Sequence, residues 1–338
     1  MAQELAEQPD VLQRVLDDGT PRINAVAAEI VARGPRFVLF TARGTSDNAA
    51  LYGKYLVEVM LGKPAGLSSM STTTVYGARS DLTGCLVVTV SQSGGSPDLV
   101  AAAEAAREAG AITLAVTNTP GSPLAAVCEY HLDVLAGPEL ALPATKTYTA
   151  ELLTLYLLVR ALSGVDGASS ARDIPALAHT VLSGSLGGLA ERYRNAGSLL
   201  LTSRGFAYPT AREAALKLME TSYIPSLAFS GADLMHGPLA MVDRDTPVIA
   251  VVPGGAGGTA LQPVLDRLRG CGADLTVIGN PDHVSAVGRG FALPDGVPEE
   301  LQPLLQILPL QRLAYELAIA RGVDPDAPRA LAKVTETH

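Results

Sequence analysis

Tryptophan is absent from this chain, and aromatic residues make up only 4% of its 338 positions. Base stacking on aromatic side chains is therefore excluded as a main activity. Basic clusters are lacking too, and the formal net charge is −9. Such a chain has no electrostatic footprint for nucleic acid or for an anionic membrane. Cysteine occurs three times, at Cys85, Cys128 and Cys271. An odd number so widely spaced gives neither a disulfide framework nor a zinc-ligand pattern, and fits the reduced thiols of a cytoplasmic protein. No apolar run reaches membrane-spanning length; residues 151–162 come nearest and are interrupted by Arg160. The first eight residues are polar and acidic, unlike a signal peptide. Neither a GxxxxGK[ST] nor a GxGxxG following a strand is present, so a nucleotide is not the favoured ligand.

What is present is apolar surface, 48% of the residues, enough to build a large core. The length suits two α/β domains. Strand-like runs at 36–41, 85–90 and 112–117 alternate with helical runs at 46–60, 98–109 and 146–162. That alternation predicts parallel sheets covered on both faces. The pattern then returns: Phe40-Thr41-Ala42-Arg43-Gly44 is echoed by Leu201-Thr202-Ser203-Arg204-Gly205, 161 positions on, and the segment from Gly110 by the segment from Gly272. Two anchors at nearly one offset predict a duplicated domain. The expected division is an N-terminal helical segment (1–30), a first domain (31–165), a second domain (166–322) and a tail (323–338). A linker is expected over 163–172 and a helical lead-in over 174–195.

The most informative segment is Leu86-Val87-Val88-Thr89-Val90-Ser91-Gln92-Ser93-Gly94-Gly95-Ser96. A β-branched run ends in hydroxyls, an amide and glycines, and a helical run starts at once. This predicts a buried strand, a tight turn and a helix N-terminus, where N–H groups lack partners and the dipole favours an anion. Ser91, Gln92, Ser93 and Ser96 form a candidate phosphate cradle, with Thr45 and Ser46 closing it from the neighbouring strand end. A single serine N-cap would account for less polarity than this. The corresponding turn in the second half, Val252-Pro253-Gly254-Gly255-Ala256-Gly257, has lost its hydroxyls, so one phosphate site is expected, in the first half.

Three further groups carry chemistry. Glu213, Lys217 and Glu220 share one helix face at i, i+4 and i+7; by spacing alone they suit a solvated stripe, yet their helix follows a strand end, where a carboxylate beside an ammonium can move protons. His236, braced by Gly237-Pro238, suits a proton shuttle on a turn, while His131, His179, His283 and His338 read as structural or surface residues. Lys333, between apolar neighbours in the tail, could form a Schiff base with a ketose carbonyl; a solvated lysine in a frayed terminus is the simpler alternative.

Together these motifs resemble the sugar isomerase (SIS) domain family, and in particular the isomerase half of glucosamine-6-phosphate synthases. The resemblance runs in order through residues 4–9, Arg43-Gly44-Thr45-Ser46, Ser91-Gln92-Ser93-Gly94, Ala144-Thr145-Lys146, Ala215-Leu216-Lys217 with Glu220, His236-Gly237-Pro238 and Leu331-Ala332-Lys333. It implies two tandem flavodoxin-like α/β domains and a hexose or hexosamine 6-phosphate as substrate. It further implies that Ser46, Ser91, Gln92, Ser93 and Ser96 hold the phosphate and that Glu220 moves a proton between C1 and C2. His236 would assist ring opening from a neighbouring subunit, Lys333 would be the Schiff-base lysine, and Lys217 and Thr145 would contact the open-chain sugar. A homodimer is therefore expected, with no metal or organic cofactor.

Gly95-Ser96 stands where synthases carry Glu-Thr, and Met235 where a basic residue is common. The glutamine-hydrolysing half, with its N-terminal cysteine nucleophile, has no counterpart before Cys85. The expected reaction is thus that of stand-alone SIS-type deaminases: glucosamine 6-phosphate to fructose 6-phosphate and ammonia. A fructosamine-6-phosphate deglycase, a glutamine-independent synthase or plain phosphosugar isomerase, and a non-catalytic sugar-phosphate sensor are the alternatives.

Overall fold

The computed structural model describes residues 1–329. They form two compact units. One comprises Gln8–Glu139 and Lys146–Asp173; the other comprises Met1–Glu7, Leu140–Thr145 and Ile174–Arg329.

The first unit is built on five parallel strands, β1 (Phe37–Thr41), β2 (Ala65–Leu67), β3 (Cys85–Ser91), β4 (Ile112–Thr117) and β5 (Tyr130–Asp133), in the order β2-β1-β3-β4-β5. This 2-1-3-4-5 order is that of the flavodoxin-like fold. All seven residues of β3 and all six of β4 are buried, because alternate side chains meet helices on opposite faces. Val87 and Cys85 pack with Ala106 of the helix Pro97–Glu108. Phe40 points the other way, toward Gly53 of the helix Gly44–Leu56, where an added Cβ would lie 2.8 Å from the Phe40 ring. Covered on both sides, the central strands read as unbroken apolar runs rather than alternating ones. The helix Lys146–Leu162, apolar nearly all round, is buried from Lys146 to Val159 and packs against Gly44–Leu56 and Thr20–Arg33.

The second unit repeats the plan with β6 (Leu199–Ser203), β7 (Ser226–Ser230), β8 (Pro247–Val252), β9 (Asp274–Gly279) and β10 (Gly290–Ala292), ordered β7-β6-β8-β9-β10 and again parallel throughout. Val248, Ala250 and Val252 form a core with Leu261, Val264, Leu265 and Leu268 of the helix Gly255–Gly270. The helices Tyr208–Ser222 and Gln302–Ala320 pack extensively on each other. The helical lead-in over 174–195 consists of two helices, Ile174–Ser183 and Leu189–Tyr193. Gly187 and Gly188, both at positive φ (58° and 81°), break it.

Candidate functional site

In a 2-1-3-4-5 sheet the strand order reverses between β1 and β3, and ligands bind outside the carboxyl ends of the strands at that switch point. Both turns singled out in the first half lie there. Thr41 of β1 is in register with Thr89 of β3, which ends at Ser91 beside Thr117 of β4. The Gly94 N–H donates to Ser91 Oγ and the Gly95 N–H to Ser93 Oγ, each at 3.2 Å. Backbone bonds from Asn118 N to Gln92 O (3.1 Å) and from Leu124 N to Gly94 O (3.0 Å) tie the turn to the loop after β4. Gly94 is at φ 60°, and a Cβ there would overlap Ser122, so position and neighbour both require glycine.

Ser96 stands at the N-cap of the helix Pro97–Glu108 with no side-chain capping bond. Its hydroxyl is therefore not consumed by the ordinary structural task of a serine at that position. Thr45 is half-buried. Ser46 is buried and donates to Glu151 Oε1 at 2.8 Å, so its proton is already given to a carboxylate.

Two partners of this turn escaped the sequence reading. Arg43 Nε donates to Asp98 Oδ2 at 3.0 Å, with the Asp98 side chain only 2% exposed and that of Arg43 54% exposed. The pair links the turn after β1 to the first turn of the helix after β3 and puts a guanidinium, the fork that suits phosphate, beside the cradle. Arg43 was visible as part of a repeat; its partner 55 residues away was not. Glu151, in the middle of an apolar helix, carried no local signal for its bond to Ser46.

In the second unit, Glu213 and Lys217 have fully buried side chains, and that of Glu220 is 20% exposed. The stripe is thus no solvated face. Lys217 Nζ is 3.4 Å from Glu213 Oε1 and hydrogen-bonds Glu220 Oε2. Burial alone would lower the Lys217 pKa, but the charges of Glu213 and Glu220 outweigh it and hold the ammonium above its ordinary value. The helix keeps a fixed cation between two carboxylates, the outer of which reaches toward solvent.

Thr145 is fully buried in the second unit, with its carbonyl accepting from Gln311 Nε2 at 3.2 Å. His236 is exposed at the end of the short helix Gly231–Met235 after β7. Lys333 lies outside the described residues. Among those residues no cluster of three or more His, Cys, Asp or Glu side chains is arranged to hold a metal, and no helix is long and apolar enough to cross a membrane.

The turn after β8 shares its positive-φ glycine with the cradle, but its helix starts three residues earlier relative to the repeat, with N-cap Gly254 against Ser96. Gly205 and Gly255 are at positive φ (62° and 77°), as are Gly44 and Gly94 (56° and 60°), 161 positions earlier. Where hydroxyls are missing, the Glu299 carboxylate accepts from the Ala256 and Gly257 N–H groups, at 2.9 Å each, and Gln302 Oε1 accepts from the Gly254 N–H at 2.7 Å.

These strand-end geometries, duplicated in one chain, can be set beside known proteins. A glutamine–fructose-6-phosphate aminotransferase (isomerizing) from Methanothermobacter thermautotrophicus is 34% identical over 339 residues, covering 98% of this chain and 56% of that protein. The chain spans about half the length of the curated relatives it matches. The C-terminal domain of a glucosamine-fructose-6-phosphate aminotransferase from Francisella tularensis superposes with a TM-score of 0.85 at 25% identity, over 97% of each chain. A Silicibacter pomeroyi protein, assigned provisionally as a phosphosugar isomerase, superposes with a TM-score of 0.88 at 32% identity, over 96% of this chain and 98% of that one. A single family model, the SIS domain, matches twice, over residues 34–161 and 192–321. Each match takes in one of the two five-stranded sheets, and the chain belongs to the SIS domain family, carrying the domain in tandem.

Proposed function

We propose that this chain is a phosphosugar isomerase that deaminates a hexosamine 6-phosphate, converting glucosamine 6-phosphate and water to fructose 6-phosphate and ammonia. The observation that carries the reading is the buried Glu213–Lys217–Glu220 stripe. Aldose–ketose interconversion needs a base that can take a proton from C2 and return it to C1, and a fixed positive charge for the enediolate that forms between. Glu220 is the base: it is the partly exposed carboxylate of the stripe. Lys217 is the charge, since two carboxylates keep it an ammonium and unfit it to be the base.

Ser91, Gln92, Ser93, Ser96 and Thr45 hold the phosphate, with Arg43 supplying the cation that the neutral cradle lacks. His236 assists ring opening, Thr145 contacts the open-chain sugar, and Lys333 is the amine for condensation with a ketose carbonyl. The proton shift turns the C2 amine into a C2 imine. Water adds to that imine and ammonia leaves, so the step balances without an oxidant. Support also comes from relatives whose names specify fructose 6-phosphate and isomerisation.

The test is ammonia release from glucosamine 6-phosphate by the purified protein. The expected result is equal amounts of ammonia and fructose 6-phosphate, with kcat lowered about 10²- to 10⁴-fold in Glu220→Gln. No ammonia from the wild type, or an unimpaired variant, overturns the reading. Plain aldose–ketose isomerisation is the second reading, favoured by the description of the Silicibacter pomeroyi structure. It is recognised by exchange of the C2 hydrogen with D2O in a hexose 6-phosphate, with glucosamine 6-phosphate left intact.

A further inference from the structure

Both strand-end turns carry a positive-φ glycine, Gly94 and Gly255, but only in the second half does one carboxylate from outside the helix take two successive N–H groups at its start; in the first half Asp98, inside the first turn, accepts only from its neighbour Leu99 N. Glu299 comes from the short turn Glu299–Leu301 ahead of the helix Gln302–Ala320, more than forty residues beyond the amides it meets. Its two oxygens take two successive N–H groups, Oε2 from Ala256 and Oε1 from Gly257. A tetrahedral oxyanion takes the same donors in the same way at a glycine-rich helix start. The helix concerned is sixteen residues long, so its dipole is fully developed at that end. The sequence around it is shaped for the visitor: a Cβ on Gly255 or on Gly257 would collide with the Glu299 carboxylate. The first-half counterparts of Ala256 and Gly257, at the shared 161-position offset, are Gly95 and Ser96.

We propose that Glu299 is the resident anion of the second half's turn, and that its carboxylate is the specificity determinant that keeps this turn from taking a phosphate. The inference rests on the reading of the Ser91–Ser96 turn as the phosphate holder for its comparison, and on the Glu299 geometry for its substance. The chain therefore carries two anion cradles and offers one. Removing the carboxylate uncovers the second, with inorganic phosphate as a sufficient ligand.

The experiment is a titration of the full-length protein with inorganic phosphate, followed by backbone amide NMR signals and by equilibrium dialysis. In the wild type, the signals of Gly94, Gly95 and Ser96 shift and those of Ala256 and Gly257 stay still. In Glu299→Ala both groups shift, and the phosphate bound per chain doubles. Glu299→Gln keeps an oxygen for one amide while removing the charge; it carries the same readout should the alanine variant fail to fold, with Ala256 and Gly257 responding at higher phosphate. The proposal is overturned if Ala256 and Gly257 are indifferent to phosphate in both variants while Gly94–Ser96 respond. If Ala256 and Gly257 respond in the variants and Gly94–Ser96 never do, the Glu299 proposal stands and the phosphate reading of the first-half turn falls.

Discussion

Lys217 has a fully buried side chain and two carboxylates to answer for it. Its pKa is raised, so its share of stability is complete below the ordinary lysine value of 10.5 and is lost only as pH climbs through the higher folded value. No titration of this group is expected near neutrality. Lys217→Met should cost about 3–5 kcal/mol in urea unfolding at pH 7, because the fully buried Glu213 carboxylate loses the cation it is paired with. The double variant Glu213→Leu/Lys217→Met should regain part of that, since the fully buried carboxylate is removed together with its cation. Equal stability of the single variant and the wild type would refute the account. The i, i+4, i+7 spacing was legible in the sequence and the burial was not. Nothing local to 213–220 announces that the helix Gln302–Ala320 will close over its neighbour, and Asp98, Glu151 and Glu299 escaped notice for the same reason, each acting on atoms far away in sequence.

The strand–turn–helix unit was the most legible level, because β-branched runs ending in glycine obey local sterics. The strand at Ile112–Thr117 and the helix at Lys146–Leu162 fall where their apolar runs predict. The break at Gly187–Gly188 has no apolar signature, because apolar residues on either side continue the helical pattern. One element makes a further prediction. His131, on the edge strand β5, has its Nε2 2.8 Å from Thr117 Oγ1 on β4. Burial, and secondarily Arg22, lower its pKa below the ordinary 6.5 against the pull of Asp133. The folded state therefore resists a proton that the unfolded chain accepts. Stability is unaffected above about pH 6.5 and falls as pH drops from there toward the lower folded value. His131→Gln should flatten that part of the pH profile of the melting temperature relative to the wild type; identical slopes for the two proteins would disprove it.

At the scale of the molecule, the second unit is assembled from three stretches of chain. Glu4 accepts from the Leu140 and Ala141 N–H groups, the latter at 3.0 Å, while Leu142 N donates to Asp326 O at 3.1 Å. Glu4, itself buried, thus closes a backbone strip that the sequence offers only as a motif near the N-terminus. Glu4→Ala should destabilise by about 1–3 kcal/mol in urea unfolding, since two amides lose their acceptor, and Glu4→Gln, which keeps one oxygen, by less. An alanine variant as stable as the wild type would show the strip to be held otherwise. The tandem plan was legible because the repeat kept its glycines; what separates the halves chemically was not, because it lies in side chains that arrive from elsewhere. The Glu299 carboxylate on Ala256 and Gly257 has a practical consequence. On the proposal above, added phosphate reaches the Ser91–Ser96 turn and leaves the Ala256 and Gly257 amides, already held by Glu299, unchanged. The saturated turn is an internal blank, built into every molecule, against which the signal of the other can be subtracted.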